Sequence, residues 1–272
     1  MENIIENYSI HNQAKAETIA KRLDSVQETD LIVTSLSLSP ALIAKCLGVV
    51  TAFLIIASSV AVLTDYMTGR TYLIIHKLVS LFYVELELNA PAFFSTLLLL
   101  SAFALLSVIS ISKQKHRASF RFEWFVLTLG FLFMAFDETA SIHERLIEPM
   151  RSIIGEQSLG VLYFAWVVPA IVLVVCLGIF FLRFLINLPR RTAIYFLVAA
   201  AMYLGGALGL EMAEGWHSEI NGKENFLYIA MTTLEETLEM TGTIVFIWAL
   251  LEYIADLYKT VQFRFIGLPQ KD

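Results

Sequence analysis

The residues most able to do chemistry sit where a membrane helix can least afford charge. Between Leu227 and Ile254 an apolar stretch carries Glu235, Glu236 and Glu239, and no Lys or Arg. On a helix of 3.6 residues per turn, Glu235 and Glu239 share a face, as do Glu236 and Glu239, and Thr232 and Thr243 extend that face. Carboxylates in hydrocarbon must hold protons, reach water, pair with a base or bind a cation. The stretch itself supplies no base.

Three other stretches have the same character. One is Phe136-Asp137-Glu138-Thr139-Ala140-Ser141-Ile142-His143-Glu144-Arg145, and a second is Glu211-Met212-Ala213-Glu214-Gly215-Trp216-His217. The third is Glu87 with Asn89. Against these acids stand Arg145, with Arg151 and Lys223 further into loops. The shortage of bases favours a bound cation or proton-holding carboxylates. Glu214-x-x-His217 has the i, i+3 spacing by which helical bundles present Glu and His to metal pairs. The pattern assigns Glu214, His217, Glu235, Glu236, Glu239 and His143 as ligands of a divalent metal, zinc or iron. Asp137 and Glu138 serve as ligands or a general base, and Ser141 as a hydrogen-bonding support. On an ideal helix His143 lies off the face shared by Asp137, Ser141, Glu144 and Glu148, so it joins the site only if the helix ends or bends there.

The elements that must position these groups are membrane helices. The chain has 272 residues, 57% hydrophobic and 16% charged, with a mean hydropathy of +0.69. Several apolar runs approach the roughly 20 residues needed to cross a bilayer. A net charge of −6 argues against nucleic acid as a partner. Cys46 and Cys176 fall inside apolar runs and read as packing thiols. Residues 1–39 form a polar arm, with a short charged helix over Ala14–Val26 as one reading and a mobile tail as the other. Residues 40–256 form the transmembrane domain and 257–272 a tail. No cleavable signal is evident.

Six spans are expected: Pro40 to about Leu63, Pro91 to about Ile111, Trp124 to about Ser141, Leu159 to Leu185, Thr192 to Leu210, and Leu227 to about Ile254. Pro169 is expected to kink the fourth. The small residues Ala199-Ala200-Ala201 and Gly205-Gly206-Ala207-x-Gly209 should let the fifth approach a neighbour closely. Tyr72–Leu88 carries His76, Lys77, Glu85 and Glu87, and its alternating end is not helical, so it reads as an interfacial or re-entrant segment. Lys and Arg concentrate in the arm, in the loops after the second and fourth spans, and in the tail. That distribution puts both termini in the cytoplasm and the four acidic stretches in the outer half of the membrane.

The stretch Glu87-Leu88-Asn89-Ala90-Pro91-Ala92-Phe93-Phe94-Ser95, together with Asp137-Glu138, Ser141-Ile142-His143-Glu144, and Glu235-Glu236 through Glu239-Met240-x-Gly242, resembles a set of uncharacterised bacterial multi-pass membrane proteins. The resemblance implies the inner membrane and no activity. The chemistry is also distantly similar to the membrane hydrolases that include alkaline ceramidases, which hold zinc with three histidines, Asp and Ser. Asp137, Ser141, His143 and His217 match in type, but the third intramembrane His and the paired-His motif are missing.

Three functions fit the pattern. The first is a metal-dependent enzyme at the outer leaflet acting on a lipid-like substrate, with membrane lipids as its surroundings. The second is a proton- or cation-coupled transporter using the same carboxylates, although no acidic path continues into the inner half. The third is a non-enzymatic subunit whose polar cluster holds its helices together.

Overall fold

The computed structural model describes residues 39–69, 71–155 and 159–258. The polar arm, including Ala14–Val26, and the tail beyond Tyr258 lie outside the described residues. The described chain is helical, with no strand.

Helix α1 (Pro40–Met67) starts where Ser39 Oγ accepts a hydrogen bond from the Leu42 amide at 3.1 Å, with proline in the first turn. This capping satisfies an amide that has no intrahelical partner. Helix α2 (Leu73–Phe82) has only ten residues, about half a crossing, so the segment after α1 does not span. Residues 83–89 then form a loop. The Val84 amide donates to Ser58 Oγ of α1 at 3.2 Å, and Asn89 Nδ2 donates to the Tyr83 carbonyl at 2.6 Å. Asn89 also caps α3 (Ala90–Lys115) by accepting from the Ala92 amide. These bonds fix the short acidic loop that carries Glu85 and Glu87.

Helix α4 (Arg121–Ala140) ends at Ser141, which adopts a left-handed conformation with φ 46°. The short helices α5 (Ile142–Arg145) and α6 (Ile147–Ile154) continue at a bend of 70°. A 3₁₀ turn (Gly160–Leu162) precedes α7 (Val167–Asn187). The fourth span therefore starts later than expected, and Pro169 causes no kink. It lies in the first turn of α7, where a missing N–H costs no helical hydrogen bond. The fifth span is longer than expected. Helix α8 (Arg190–Leu204) continues through a π-helical segment (Gly205–Leu210) into α9 (Glu211–Asn221), and the last helix is α10 (Phe226–Tyr258).

Five of these helices are long and apolar enough to cross a membrane, or six if the bent α4–α6 pair is one span. Helix α10 is the axis of the bundle, packed against α1, α3, α8 and the π-helical segment. Half of its apolar window is buried, against 11% for α7 at the periphery. The core joins Leu98, Leu106 and Ile109 of α3 to Trp124 of α4, Phe184 of α7, and Ile247 and Leu250 of α10. The Trp124 ring lies 5.0 Å from Phe184 and 5.1 Å from Tyr253.

Candidate functional site

At the opposite end of α10 from this core, α10, α9, α4, α5 and the 83–89 loop enclose a cavity of about 160 Å³. Ten carboxylates line it: Glu85 and Glu87 from the loop, Asp137 and Glu138 from α4, Glu144 from α5, Glu211 and Glu214 from α9, and Glu235, Glu236 and Glu239 from α10. Only Lys223 and His143 are there to offset them. The four acidic stretches that are distant in sequence meet in one place.

Local structure explains how. The π-helical segment after α8 adds residues to its turns, and each extra residue rotates the downstream helix by about 100°. That rotation sets where α9 presents Glu211 and Glu214. Gly206 lies in the same segment against α10, where a Cβ would sit 2.8 Å from the Glu235 carbonyl and 3.0 Å from Glu239 Cγ. Gly242 of α10 is equally tight, its Cβ position 2.9 Å from the Tyr203 amide. Close approach therefore rests on Gly206 and Gly242. Gly205 and Gly209 have open space around them.

The bend at Ser141 brings His143 in. Asp137 Oδ1 accepts from the His143 amide at 3.0 Å, and Oδ2 pairs with His143 Nδ1 at 2.9 Å. One carboxylate thus caps the new helix and fixes the imidazole with its proton on Nδ1. Nε2 is left as the available lone pair. Ser141 faces Glu87 rather than lining the cavity. Loss of solvent pushes the Glu87 carboxyl above its ordinary value, and the neighbouring Glu144 charge pushes in the same direction.

The rim acids have donors. Glu85 Oε1 accepts from Tyr228 Oη at 2.7 Å and lies 3.7 Å from Lys223 Nζ, while Oε2 accepts from Tyr83 Oη. Glu211 Oε1 accepts from Trp166 Nε1 at 3.0 Å. Deeper in, the supply of donors fails. Glu214 is 2% exposed. Its Oε2 accepts from Thr232 Oγ1 at 3.2 Å, its Oε1 is reached by no hydroxyl, amide or basic group, and its carboxyl lies within hydrogen-bond reach of Glu235, a contact that needs a shared proton. Glu211, Glu214 and Glu235 each offer one carboxylate oxygen within 4.8 Å of the others. Such a grouping is attractive only when a proton or a cation is shared.

Of the expected ligands, Glu214, Glu235, Glu236, Glu239 and His143 line the cavity, as do Asp137 and Glu138. His217 is not among the lining residues. Its Nε2 bonds Asn225 Oδ1 at 2.8 Å, and its Nδ1 faces Asn221 Nδ2 at 3.3 Å. Asn225 Oδ1 also accepts from the Tyr228 amide, so Nε2 must donate and Nδ1 must accept. Neither ring nitrogen keeps a free lone pair for a metal. Of the three basic residues expected nearby, Lys223 lines the cavity and the two arginines do not. Arg151 is held by the Tyr163 carbonyl, at 2.6 Å from Nη2, and by its ring. Arg145 is exposed. Glu85, Glu87, Glu144, Glu211, Tyr203 and Tyr228 are among the lining residues to which sequence spacing gave no role. Glu211 lies three residues before Glu214 and so shares its face, which was the one available signal.

No curated protein and no solved structure matches the chain. A family model described as Domain of unknown function (DUF8692) matches residues 46–254, which contain every residue of the cavity. The protein belongs to that family.

Proposed function

We propose that this is a membrane enzyme that binds a divalent cation at Glu211, Glu214 and Glu235 and uses it on a lipid-like substrate at the outer leaflet. The observation that carries the reading is the Glu214 side chain, buried to 2% exposure against Glu235 in a cavity lined by ten carboxylates, with its Oε1 reached by no hydroxyl, amide or basic group. A cation satisfies that oxygen and offsets the repulsion in one step. Three oxygen donors suit a hard ion such as Mg²⁺, Mn²⁺ or Ca²⁺ better than the zinc or iron expected from the carboxylate–His pattern. A bound cation supplies Lewis acidity or an activated water. His143, held by Asp137, supplies a base in the same cavity.

Transport through the membrane has less support. Beyond Glu239 the cavity gives way to Leu98, Leu99 and Met240, all at most 2% exposed, and then to the apolar core. Elemental analysis of detergent-purified protein by mass spectrometry tests the proposal. Wild type and Glu148→Gln, a change at a side chain 83% exposed, should retain stoichiometric metal. Glu235→Gln should lose it. A wild type free of metal after purification in metal-supplemented buffer sinks the reading.

A further inference from the structure

Beside the acidic cavity lies a second, larger space of about 350 Å³ with a different lining. It opens between α7 and the rest of the bundle. Its walls are apolar, with Leu127 and Phe131 from α4, Leu177 and Phe181 from α7, and Ala200 from α8 among them. Tyr203 lines both spaces, and Glu239 lies beside it. Apart from the ring contacts of Phe180 and Phe184 with α4, helix α7 approaches the bundle sparsely, with backbone contacts to α8 and the π-helical segment. Gly178 faces this gap with nothing within 4 Å of a Cβ placed on it. The outer side of α7, with Ile179 at 72% and Ile186 at 73% exposure, is apolar in the ordinary manner of a lipid-facing helix.

We infer that the α7 cleft receives the single hydrocarbon chain of an amphiphile whose uncharged polar head enters the acidic cavity past Tyr203. This assignment rests on the acidic cavity being the reaction site. The choice of occupant comes from the two linings. The cleft wall is almost wholly apolar, with Tyr203 and Thr243 as its polar members, whereas the cavity wall is mostly polar, with Val84, Ile147 and Phe164 among its few apolar members. Tyr203 stands at the boundary, so a ligand spanning both must change polarity there. Inside a bilayer a chain gains little by leaving lipid for an apolar cleft, since lipid tails are equally apolar. Selectivity therefore comes from the head, whose hydroxyl donates to the crowded carboxylates of the cavity. An anionic head is disfavoured by the same carboxylates.

The test uses the full-length protein in detergent–lipid micelles with a diazirine-bearing hexadecanol, and maps photolabelled peptides by mass spectrometry. Label should concentrate on the cleft walls of α7 and α8, saturate, and yield to unlabelled hexadecanol but not to hexadecane. Gly178→Phe, which fills open space, should reduce cleft labelling about tenfold without changing metal content. Ile179→Phe on the lipid side should change neither. Glu235→Gln should lose metal and keep cleft labelling. Labelling spread evenly over the cleft and the Ile179 face, or insensitive to hexadecanol, overturns the inference. If Gly178→Phe misfolds, the wild-type label map and its competition decide alone. Saturable cleft labelling of a protein that never binds metal would overturn the metal proposal and leave the chain site standing.

Discussion

The two ends of α10 obey opposite rules. From Met240 to Tyr253 its buried side chains are apolar apart from Thr243 and interlock with α3, α4, α7 and α8, and Phe131 stacks on Phe246 with ring centroids 4.5 Å apart. From Tyr228 to Glu239 the same helix faces a cavity through Thr232 and three carboxylates. The change comes between Glu239 and Met240, within one peptide bond. One end minimises its free energy by close packing. The other gathers like charges that destabilise the fold unless something binds them. Departures from the rules of stable design collect where function is, so the acidic end is the candidate binding site and the apolar end the frame around it.

The largest effect that separates the two ends is a change to the frame. Trp124 is 1% exposed and contacts Phe184, Phe196 and Tyr253. Trp124→Ala should cost about 3–5 kcal/mol of stability, read as loss of folded protein and a lowered thermal midpoint. Metal per folded molecule should stay unchanged. A variant that keeps its midpoint would mean the core is not the frame.

At the acidic end the opposite pattern is expected. Glu235→Gln should lower metal affinity by about tenfold or more, by analogy with the roughly 10–100-fold effects of changes around metal sites. In metal-free buffer the same variant should melt no lower than wild type, because glutamine keeps a hydrogen-bond donor toward Glu214 and removes a carboxyl that must otherwise hold a proton or repel its neighbours. Metal loss together with a lower metal-free midpoint would instead make the carboxylates structural.

Gly206 tests whether the two ends are mechanically joined. A methyl group there meets the Glu235 backbone at 2.8 Å, which forces the π-helical segment away from α10. Gly206→Ala should cost about 1–3 kcal/mol and weaken metal binding. Gly205→Ala, with nothing within 4 Å, should do neither. Thermal melts and metal titration of the pair decide it.

Much of this is legible in the sequence. The apolar runs mark the spans, and the basic loops put the acidic stretches on one side, where the structure brings them into one cavity. The short α2 is visible as charge inside an apolar run. The hidden part depends on local geometry. The spacing Glu214-x-x-His217 suggests a metal pair, but Asn221 and Asn225 lie close enough to occupy both ring nitrogens. No periodicity reveals that competition. Pro169 reads as a kink only while the helix is begun at Leu159, and it becomes a first-turn residue once α7 starts at Val167. The π-helical segment leaves no mark in composition, and it rotates α9. His143 joins the site through a bend at a serine in the left-handed region, a conformation that sequence favours for Gly or Asn.

The smallest expected effect concerns the mouth of the cavity. Loss of solvent and the nearby Glu144 charge hold the Glu87 carboxyl above its ordinary value of 4.5. The folded protein thus binds this proton more tightly than the unfolded chain does. Its contribution to stability is fully present below the unfolded value and is lost as pH rises through the folded one. Glu87→Gln removes that slope. Its thermal midpoint should match wild type in acid and exceed it slightly near neutrality, with the gap opening across the carboxylate range. The gap should stay small because Glu87 is exposed on its outer side and solvent screens it. Added metal should narrow the gap, because a cation near Glu235 relieves the ionised Glu87 in the wild type. A gap of the opposite sign, with the variant less stable at neutral pH, would show that ionised Glu87 is held by a favourable partner. The mouth would then belong with the frame rather than with the repelling acids.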